Sequence, residues 1–508
     1  MAKWWTLLVV CLATFMLLLD VTIVNVALPS IERDLRASFS DLQWVVDAYA
    51  LTLAAFLLTS GSLADLIGRR RVFVGGLVVF TVASALCGLS GRPLVLNLAR
   101  GLQGTGAAMM FACALALLAA DYQGRDRGTA FGLWGAVTGA AVAIGPLVGG
   151  VLTEGIGWQA IFFVNVPIGA AVIALTLRTV HESRNPAGGG IDWAGLVTFS
   201  VALFLLVFAL IRGNTEGWGS ALIVTMLIGA AVLIGAFIAI ELRGAHPMLD
   251  VALFRKPAFD GASLAAFVQS ASMFAMFLYL TFYIQNQLGY GALQAGLRFL
   301  PATVLSFLAA PVSGKLAERF GARWFVGGGL LLIGAGLLLM AGRDPQDGWT
   351  ALLPGFAAAG IGIGICNPAL AGAAVSVVGP ERAGMASGIN SSFRQIGLAT
   401  GVAAWGAIFA HVVNQHAAAF ARAVGHGPPP GTTASFSDFI SFGAYRALGP
   451  DALRPGREAF LAGLNDILVI AAIVAFVGGI ACLLLIRPRD FVAHGAPAGE
   501  GEPAVAAV

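Results

Sequence analysis

The chain has 508 residues, of which 58% are hydrophobic and only 11% are Asp, Glu, Lys or Arg, and its formal net charge is +3. A soluble domain carries about 25% charged residues, so this chain has too few to cover a water-facing surface, and the composition predicts a protein embedded in lipid. The small net charge, with no basic run beyond Arg69–Arg71, argues against nucleic acid as a partner.

Runs of about 20 apolar residues are long enough to cross a bilayer core, and they predict fourteen spanning helices. The first run follows Lys3 and is too long for a signal peptide, so we interpret it as a retained span. The predicted spans are 5–28, 43–63, 72–90, 94–119, 131–153, 159–179, 193–212, 219–242, 262–288, 294–317, 323–342, 350–378, 386–411 and 463–486.

The distribution of Lys and Arg between the connections predicts the orientation of the chain. With the N-terminus inside, 17 of these residues lie on the cytoplasmic side and 10 on the external side. We therefore expect both termini to be cytoplasmic, in a multi-pass protein of the cell membrane.

One connection, 412–462, is much longer than the others and is predicted to be external. Its apolar residues allow two interpretations, an amphipathic helix lying on the membrane or a loosely ordered connector with one short helix. These residues are Phe436, Phe439, Ile440, Phe442, Tyr445 and Leu448. The tail at 488–508 is rich in Ala, Gly, Pro and Glu and is expected to be disordered.

The sequence lacks the motifs of ATP-driven transport and of hydrolytic enzymes. No phosphate-binding G-x-x-x-x-G-K-[ST] element occurs, and no metalloprotease or nucleophile-elbow motif appears. The five cysteines all lie in apolar runs, and none has metal-ligand spacing. We therefore expect no enzyme, metal or cofactor, and a transporter would draw on an ion gradient such as that of protons.

Ionisable residues inside the spans are the first candidates for function, because burying a charge in a membrane is costly. Asp20 in span 1 lies about 12 Å from the predicted external end of its helix, and Arg100 in span 4 lies about 9 Å from its own. A buried carboxylate near an arginine can exchange a proton when its exposure changes. Spacing alone leaves open whether the two residues form such a site or a static ion pair.

Two further charges are harder to interpret. Asp47 lies only about four residues into span 2, so an interfacial position competes with a role in proton coupling. Arg394 lies deep in span 13 and needs a partner that spacing does not identify.

Small residues and a proline are concentrated in span 5. Gly145, Pro146 and Gly149 would allow close helix contact and a bend, which suits a hinge between two rocking halves. Structural packing alone would explain part of this pattern.

Five motifs, in the expected order and spans, resemble the major facilitator superfamily and specifically its fourteen-span drug:proton antiporter group. The resemblance covers the chain from span 1 to span 14. The motifs are Leu19–Pro29, Gly61–Arg71, Leu98–Gly106, Gly139–Gly150 and Trp158–Gly169.

The resemblance implies two six-helix bundles, 1–185 and 258–487, with an inserted pair of helices at 186–257 between them. A second loop, Gly314–Arg323, echoes the first loop motif, as related halves would. The resemblance to the superfamily also implies that Asp20 and Arg100 lie close together and couple transport to protons. The loop motif is expected to supply a gate at the cytoplasmic face through Gly61, Asp65, Gly68, Arg69 and Arg70.

A substrate cavity is expected between the halves, lined by amide, aromatic and basic side chains. The candidates are Asn25, Gln103, Asn165, Tyr279, Tyr283, Gln285, Asn390 and Arg394. The central spans offer no further acids, so a neutral or monovalent cationic lipophilic molecule is the expected substrate.

The leading hypothesis is a proton-coupled exporter of lipophilic small molecules that works by alternating access. An uptake symporter for a small metabolite and a lipid-moving facilitator use the same fold and remain alternatives. The expected partners are the substrate, protons and the bilayer, in a monomer. Whether an adaptor protein binds is not decided by the sequence.

Overall fold

The computed structural model of the chain describes residues 2–122, 124–183, 192–244, 247, 249–377, 383–424, 435–487 and 490. These residues form helices joined by turns, with no strand among them. Within this part of the chain, twelve helices are long and apolar enough to cross a membrane. The predicted all-α membrane fold is therefore confirmed.

The N-terminal bundle is built from long helices with short connections. Ser38 starts the second helix with a capping box in which its hydroxyl accepts from the backbone N–H of Asp41, and Pro93 begins the fourth. The helices are α1 (Ala2–Leu35), α2 (Phe39–Ile67), α3 (Arg69–Gly88), α4 (Pro93–Asp121), α5 (Gly124–Gly155), α6 (Ala160–Phe163) and α7 (Asn165–Thr179).

The inserted pair consists of α8 (Trp193–Glu216) and α9 (Ala221–Arg243). Helix α8 packs against α2 and also against a helix of the C-terminal bundle, α15 (Ala383–Gln415). On the α2 side, the Trp44 ring lies 5.8 Å from the ring centroid of Phe204. The pair thus bridges the two bundles along one side, which the sequence could not show.

The C-terminal bundle contains the remaining helices. They are α10 (Pro257–Gln269), α11 (Met276–Phe282), α12 (Ala292–Phe320), α13 (Ala322–Met340), α14 (Leu353–Ser376), α15, α16 (Ala417–Val424), α17 (Phe436–Ser441) and α18 (Pro450–Leu485). Two π-helical turns, Ser270–Phe274 and Tyr283–Gln287, interrupt the span that contains α10 and α11. Among the described residues of this bundle, 3₁₀ turns lie at Val251–Arg255, Trp349–Leu352 and Ala444–Leu448.

Two further helices, α2 with 29 residues and α5 with 32, are long enough to cross a membrane in addition to the twelve apolar helices. Both lie against the other bundle, since α2 packs on α15 and α5 packs on α12. With these two, the helical segments match the fourteen predicted spans in order, although the last helix begins at Pro450, before the predicted 463.

The chain runs alternately up and down, so every second connection lies at the same end of the molecule. We call the end that holds the connections 36–38, 156–159 and 288–291 the distal end, because it is opposite to the two chain termini. The predicted orientation makes the distal end external.

In the long connection at 412–462, the described residues 412–424 and 435–462 are largely helical and pack on the bundle. Phe439, Ile440 and Tyr445 are at most 5% exposed, and Tyr445 is hydrogen-bonded to the amide oxygen of Gln287 at 2.5 Å. Because these side chains are buried in protein, the interpretation as an amphipathic helix on the membrane is wrong. Of the predicted tail at 488–508, only residue 490 lies within the described part of the chain.

Glycine allows close contact between α13 and α14. A Cβ atom on Gly329 would lie 2.7 Å from the backbone oxygen of Gly362, whereas a Cβ on the neighbouring Gly328 would meet nothing within 4 Å. Small residues at such crossings let helix backbones approach each other within a membrane.

We expect Gly329→Val to destabilise the protein by about 1–3 kcal/mol, because the added side chain overpacks the α13–α14 contact. Gly328→Val is the matched control, since it adds the same side chain one residue away in open space. Thermal unfolding of the detergent-purified proteins measures the difference, and equal melting temperatures for the two variants would contradict the packing described here.

Candidate functional site

The centre of the N-terminal bundle holds a buried ion pair between Asp20 of α1 and Arg100 of α4, each 1% exposed. Arg100 Nη1 donates to Asp20 Oδ2. The other carboxylate oxygen, Oδ1, accepts from Gln103 Nε2 at 2.9 Å and from Asn165 Nδ2 at 3.2 Å. Three donors on one carboxylate stabilise its ionised form.

The guanidinium of Arg100 is held on all sides. Its Nε donates to the backbone oxygen of Val45 in α2 at 2.9 Å, and Nη1 also donates to Gln103 Oε1 at 2.7 Å. Its Cζ lies 4.3 Å from the ring centroid of Tyr49, which provides a cation–π contact. Arg100 therefore links α1, α2 and α4 in one arrangement.

Ser84 of α3 completes this network, although sequence reasoning missed it. Its hydroxyl accepts from Gln103 at 3.2 Å and from Asn165 at 3.1 Å, and donates to the backbone oxygen of Phe162 at 2.8 Å. A single serine in an apolar span gives no signal of its role. Gln103 and Asn165, predicted to line the substrate cavity, are committed to the ion-pair network instead.

Asp47 of α2 has no such partners. It is 0% exposed, and both carboxylate oxygens lack a hydrogen-bond partner among the described residues. An interfacial carboxylate would be hydrated, so that interpretation does not fit the structure. Asp47 is instead a buried acid in the middle of a helix-packing interface.

A narrow cavity of about 30 Å³ lies between the two bundles in this conformation. Four aromatic or hydroxyl side chains from the C-terminal bundle that the sequence did not single out, Phe277, Thr281, Phe299 and Thr303, form much of its wall. Its complete lining is Val21, Thr22, Asn25, Val26, Val46, Pro146, Phe274, Phe277, Thr281, Phe299, Thr303 and Leu398. None of these residues is charged, so the cavity suits an uncharged, lipophilic molecule that carries a few hydrogen-bonding groups.

Of the predicted cavity residues, only Asn25 is part of this lining. Tyr283 donates from its hydroxyl to the backbone oxygen of Asp347 at 3.4 Å, and Asn390 donates to that of Ala262 at 3.0 Å. These two side chains therefore hold parts of the C-terminal bundle together.

Arg394 of α15 donates to the amide oxygen of Asn367 at 3.1 Å. Sequence reasoning required a partner for this cation but could not name it, because Asn367 lies on another helix, α14. The contact joins α15 to α14 inside the C-terminal bundle.

The two bundles meet at the distal end through a set of contacts that we call the distal seam: α2 with α15, α1 with the Tyr283–Gln287 turn, and α5 with α12. Gln43 donates to the backbone oxygen of Val402 at 3.0 Å, and Tyr279 donates to the same oxygen at 2.6 Å. Gln285 donates to the backbone oxygen of Val26 at 2.8 Å. Tyr279 and Gln285, predicted cavity residues, therefore belong to this seam.

The glycine–proline motif of α5 lies where α1, α5 and α12 approach most closely. A Cβ on Gly145 would lie 1.9 Å from Thr22 Oγ1, and one on Gly149 would lie 2.8 Å from the backbone oxygen of Ile23. The backbone oxygen of Pro146 lies 2.3 Å from where a Cβ on Gly296 of α12 would be. Larger residues would push these helices apart; the hinge role of the motif stays a prediction.

The loop motif between α2 and α3 is tied to the chain after α7. Gly68 has φ +117°, which glycine tolerates, and so turns the chain sharply. The backbone N–H of Arg70 donates to Glu182 Oε1 at 3.0 Å, and that of Arg69 donates to the backbone oxygen of Ser183. Gly61 has open space around it, and the Asp65 side chain lies outside the described part of the structure.

Glu182 is thus the acidic partner of this loop, and sequence reasoning did not identify it. Its Oε2 also lies 3.8 Å from Arg71 Nε. The contacts described for this loop join parts of the N-terminal bundle, and its predicted gating role is not tested by them.

Comparison with known proteins gives a consistent assignment. A family model described as Major Facilitator Superfamily matches residues 10–402. The chain is 38% identical over 406 residues to the multidrug resistance protein Stp of Mycobacterium tuberculosis, covering 80% of this chain and 75% of that protein. It is 32% identical over 521 residues to the tetracenomycin C resistance and export protein of Streptomyces glaucescens, covering 98% and 96%.

Among solved structures, the fold is similar to that of a bacterial homolog of the human lysosomal transporter Spinster, in an inward-facing and occupied conformation. The TM-score is 0.67 at 17% sequence identity, and the match covers 96% of this chain and 98% of that one. At this identity the likeness concerns the fold alone.

The buried ion pair between Asp20 and Arg100 predicts how substitutions of these residues change the free energy of unfolding. Arg100→Ala is expected to destabilise the protein by about 3–5 kcal/mol, because it leaves Asp20 buried without its cation. Combining it with Asp20→Ala should cost less than the sum of the two single changes, since residues in one network are not additive.

The control for this prediction is Arg454→Ala, which removes an exposed ion pair with Glu458 and should cost less than about 1 kcal/mol. Thermal unfolding in detergent compares the four variants with the parent protein. Strict additivity of Asp20→Ala and Arg100→Ala would be incompatible with a coupled pair.

Proposed function

The chain belongs to the Major Facilitator Superfamily, and we propose that it is a proton-coupled exporter of lipophilic small molecules across the cell membrane. It is a multi-pass membrane transporter and not an enzyme. Relatives named for multidrug resistance and for antibiotic export support efflux as its activity. Proton coupling and the antiport mechanism are our inference.

The observation that carries the proposal is the Asp20–Arg100 network beside the central cavity. A carboxylate that holds several helices of one bundle changes the packing of those helices when it is protonated. Asp20 is on α1, and the neighbouring residues Val21 and Thr22 line the cavity. A change at Asp20 can therefore alter the cavity wall directly.

Alternating access follows from the arrangement of the bundles. The distal seam closes the cavity at one end in this conformation, and the seam must separate for release on that side. Rocking of one bundle against the other moves the access from one end to the other around a fixed central site. The close contacts of α5 with α1 and α12 lie at the position where such a motion would pivot.

The chemistry of the residues that line the cavity indicates which class of substrate it binds. With Asn25, Thr22, Thr281 and Thr303 as its hydrogen-bonding groups and phenylalanines around them, it favours a neutral lipophilic molecule over a multivalent cation. A dication would have no carboxylate in the lining to neutralise it.

We expect Asp20→Asn to reduce export driven by a proton gradient at least 10-fold, because the amide cannot exchange a proton. Export of a neutral lipophilic dye from right-side-out vesicles, with and without the gradient, measures this. Asp466→Asn is the matched control, since it makes the same change at an exposed position of α18.

Melting temperatures of both variants distinguish lost coupling from lost folding. Unchanged gradient-driven export by a folded Asp20→Asn variant would place proton coupling elsewhere. If the parent protein instead accumulates the dye in cells, the activity is uptake, and if lipid flips without regard to the gradient, it is a lipid facilitator.

A second prediction concerns the cavity. Thr303→Phe should raise the KM for bulky substrates several-fold by filling the cavity, while Val312→Phe on the same helix should not, because Val312 is 58% exposed on the outer surface. Export measured against substrate concentration tests this, and equal KM values for the two variants would argue against this cavity as the binding site.

A further inference from the structure

Asp47 is buried at the distal seam and faces the C-terminal bundle. Gln43, four residues earlier on α2, donates to the backbone oxygen of Val402 of α15. Residues four apart share one face of a helix, so Asp47 faces α15 as well, one turn farther from the distal end. There the antiparallel α15 presents Leu398 and Ala399, which have no group to pair with a carboxylate.

Arg100 cannot neutralise Asp47, although it is bound to the same helix. Arg100 contacts α2 at Val45 and Tyr49, each two residues from Asp47. Two residues correspond to about 200° around a helix, so Asp47 points to the opposite side. The guanidinium is in addition fully engaged with Asp20 and its network.

Among the described residues, the parts of the other elements that lie beside Asp47 supply no charge, and Arg394 of α15, one turn beyond Leu398, donates to Asn367 of α14. Residues 398–405 of α15 and 199–208 of α8 contain none of Asp, Glu, Lys, Arg or His. The titratable group that acts on Asp47 from α11 is the phenol of Tyr279, whose hydroxyl is already donated to Val402. On α2 itself, Asp41 lies six residues away, at the start of the helix.

The two buried carboxyl groups of the N-terminal bundle therefore have opposite environments. Asp20 accepts hydrogen bonds from three side chains, which favours the ion. Among the residues that the structure describes, Asp47 has no hydrogen-bond partner for either oxygen, and it is 0% exposed, which favours the neutral acid.

We propose that Asp47 carries an exchangeable proton when the distal seam is closed, in addition to the proton exchange proposed for Asp20. This inference rests on the proposed function and specifies where the proton is bound in one state. Closing the seam buries Asp47 and requires that its carboxylate first takes a proton from water on the distal side.

Release of the proton occurs on the other side of the membrane. Val46, next to Asp47, lines the central cavity, so a small movement of α2 brings the carboxyl to the cavity. The proton then passes to water on the proximal side, and the ionised Asp47 no longer favours a closed seam.

The conformational test uses spin labels at Ile156→Cys and Gln346→Cys, exposed positions in distal connections of the two bundles, in a background without the five native cysteines. Electron–electron resonance in nanodiscs measures the distance between the two spin labels, and thus the opening of the distal seam, as pH is varied. In the parent protein, raising the pH should shift the distances toward the open seam. In Asp47→Asn the seam should stay closed at every pH, since the amide is permanently neutral.

The control Asp466→Asn should follow the parent protein. If Asp47→Asn keeps the parent's pH dependence, the inference is overturned. If the parent protein shows no pH-dependent change of distance at all, it is overturned as well.

A second measurement does not depend on how the variant folds. Infrared spectra of the parent protein at neutral pH should show the carbonyl band of a protonated carboxylic acid, shifted in deuterated water, and this band should be lost in Asp47→Asn but kept in Asp20→Asn. Absence of the band in the parent protein contradicts the proposal. Export assays distinguish failure of the proposed function from failure of the role proposed for Asp47. If the parent protein does not export, the proposed function is rejected. If Asp47→Asn exports fully when driven by the gradient, only the role of Asp47 is rejected.

Discussion

The arrangement of the N-terminal bundle depends on how two charges are kept in a medium that does not solvate them. Taking Asp20 and Arg100 out of water costs more than their mutual attraction returns unless further hydrogen bonds satisfy them. Gln103 provides such bonds to both charges and Asn165 provides one to Asp20, while Ser84 of a third helix accepts from both amides. The ion pair thus requires one particular packing of α1, α3, α4 and the α6–α7 segment.

Asp47 of the same bundle is in the opposite situation, because no described group satisfies its carboxyl oxygens. A carboxylate without partners is tolerated only if it is neutral, so its environment is tied to the state of the interface that surrounds it. The same bundle therefore contains one acid whose charge is stabilised and one whose neutrality is stabilised. A transporter can use such a difference, because a movement of α2 against α15 alters the environment of Asp47, and the contacts of Arg100 with Val45 and Tyr49 connect the same helix to the ion pair.

The contact between the bundles follows from small residues and short polar side chains. Glycines in α5 and α12 bring backbones together where a side chain would separate them, and Gln43 and Gln285 donate across the seam to backbone oxygens. Such contacts are specific in geometry and can break without exposing a charge. The inserted helix α8 lies against both α2 and α15, so the seam is covered on that side by protein and not by lipid.

The sequence by itself determined the class of the protein and much of its layout. Hydropathy and length decide where helices cross a membrane, because every backbone polar group there must be satisfied within the helix. A charge in such a helix is rare enough to be noticed, and Asp20 and Arg100 were identified for this reason. Motif order then indicated the superfamily and the two related bundles.

Only the tertiary structure decided which side chains meet. Ser84, Glu182 and Asn367 are ordinary residues in sequence, and each became a partner because folding brought it to a group that needed one. Gln103 and Asn165 were predicted to line the cavity but bind the ion pair. Asp47 lies in the protein interior, whereas its sequence position also allowed a place at the membrane interface. Hydropathy reports the depth of a residue in the membrane, but the direction in which its side chain points depends on helix rotation and packing, which no local pattern records.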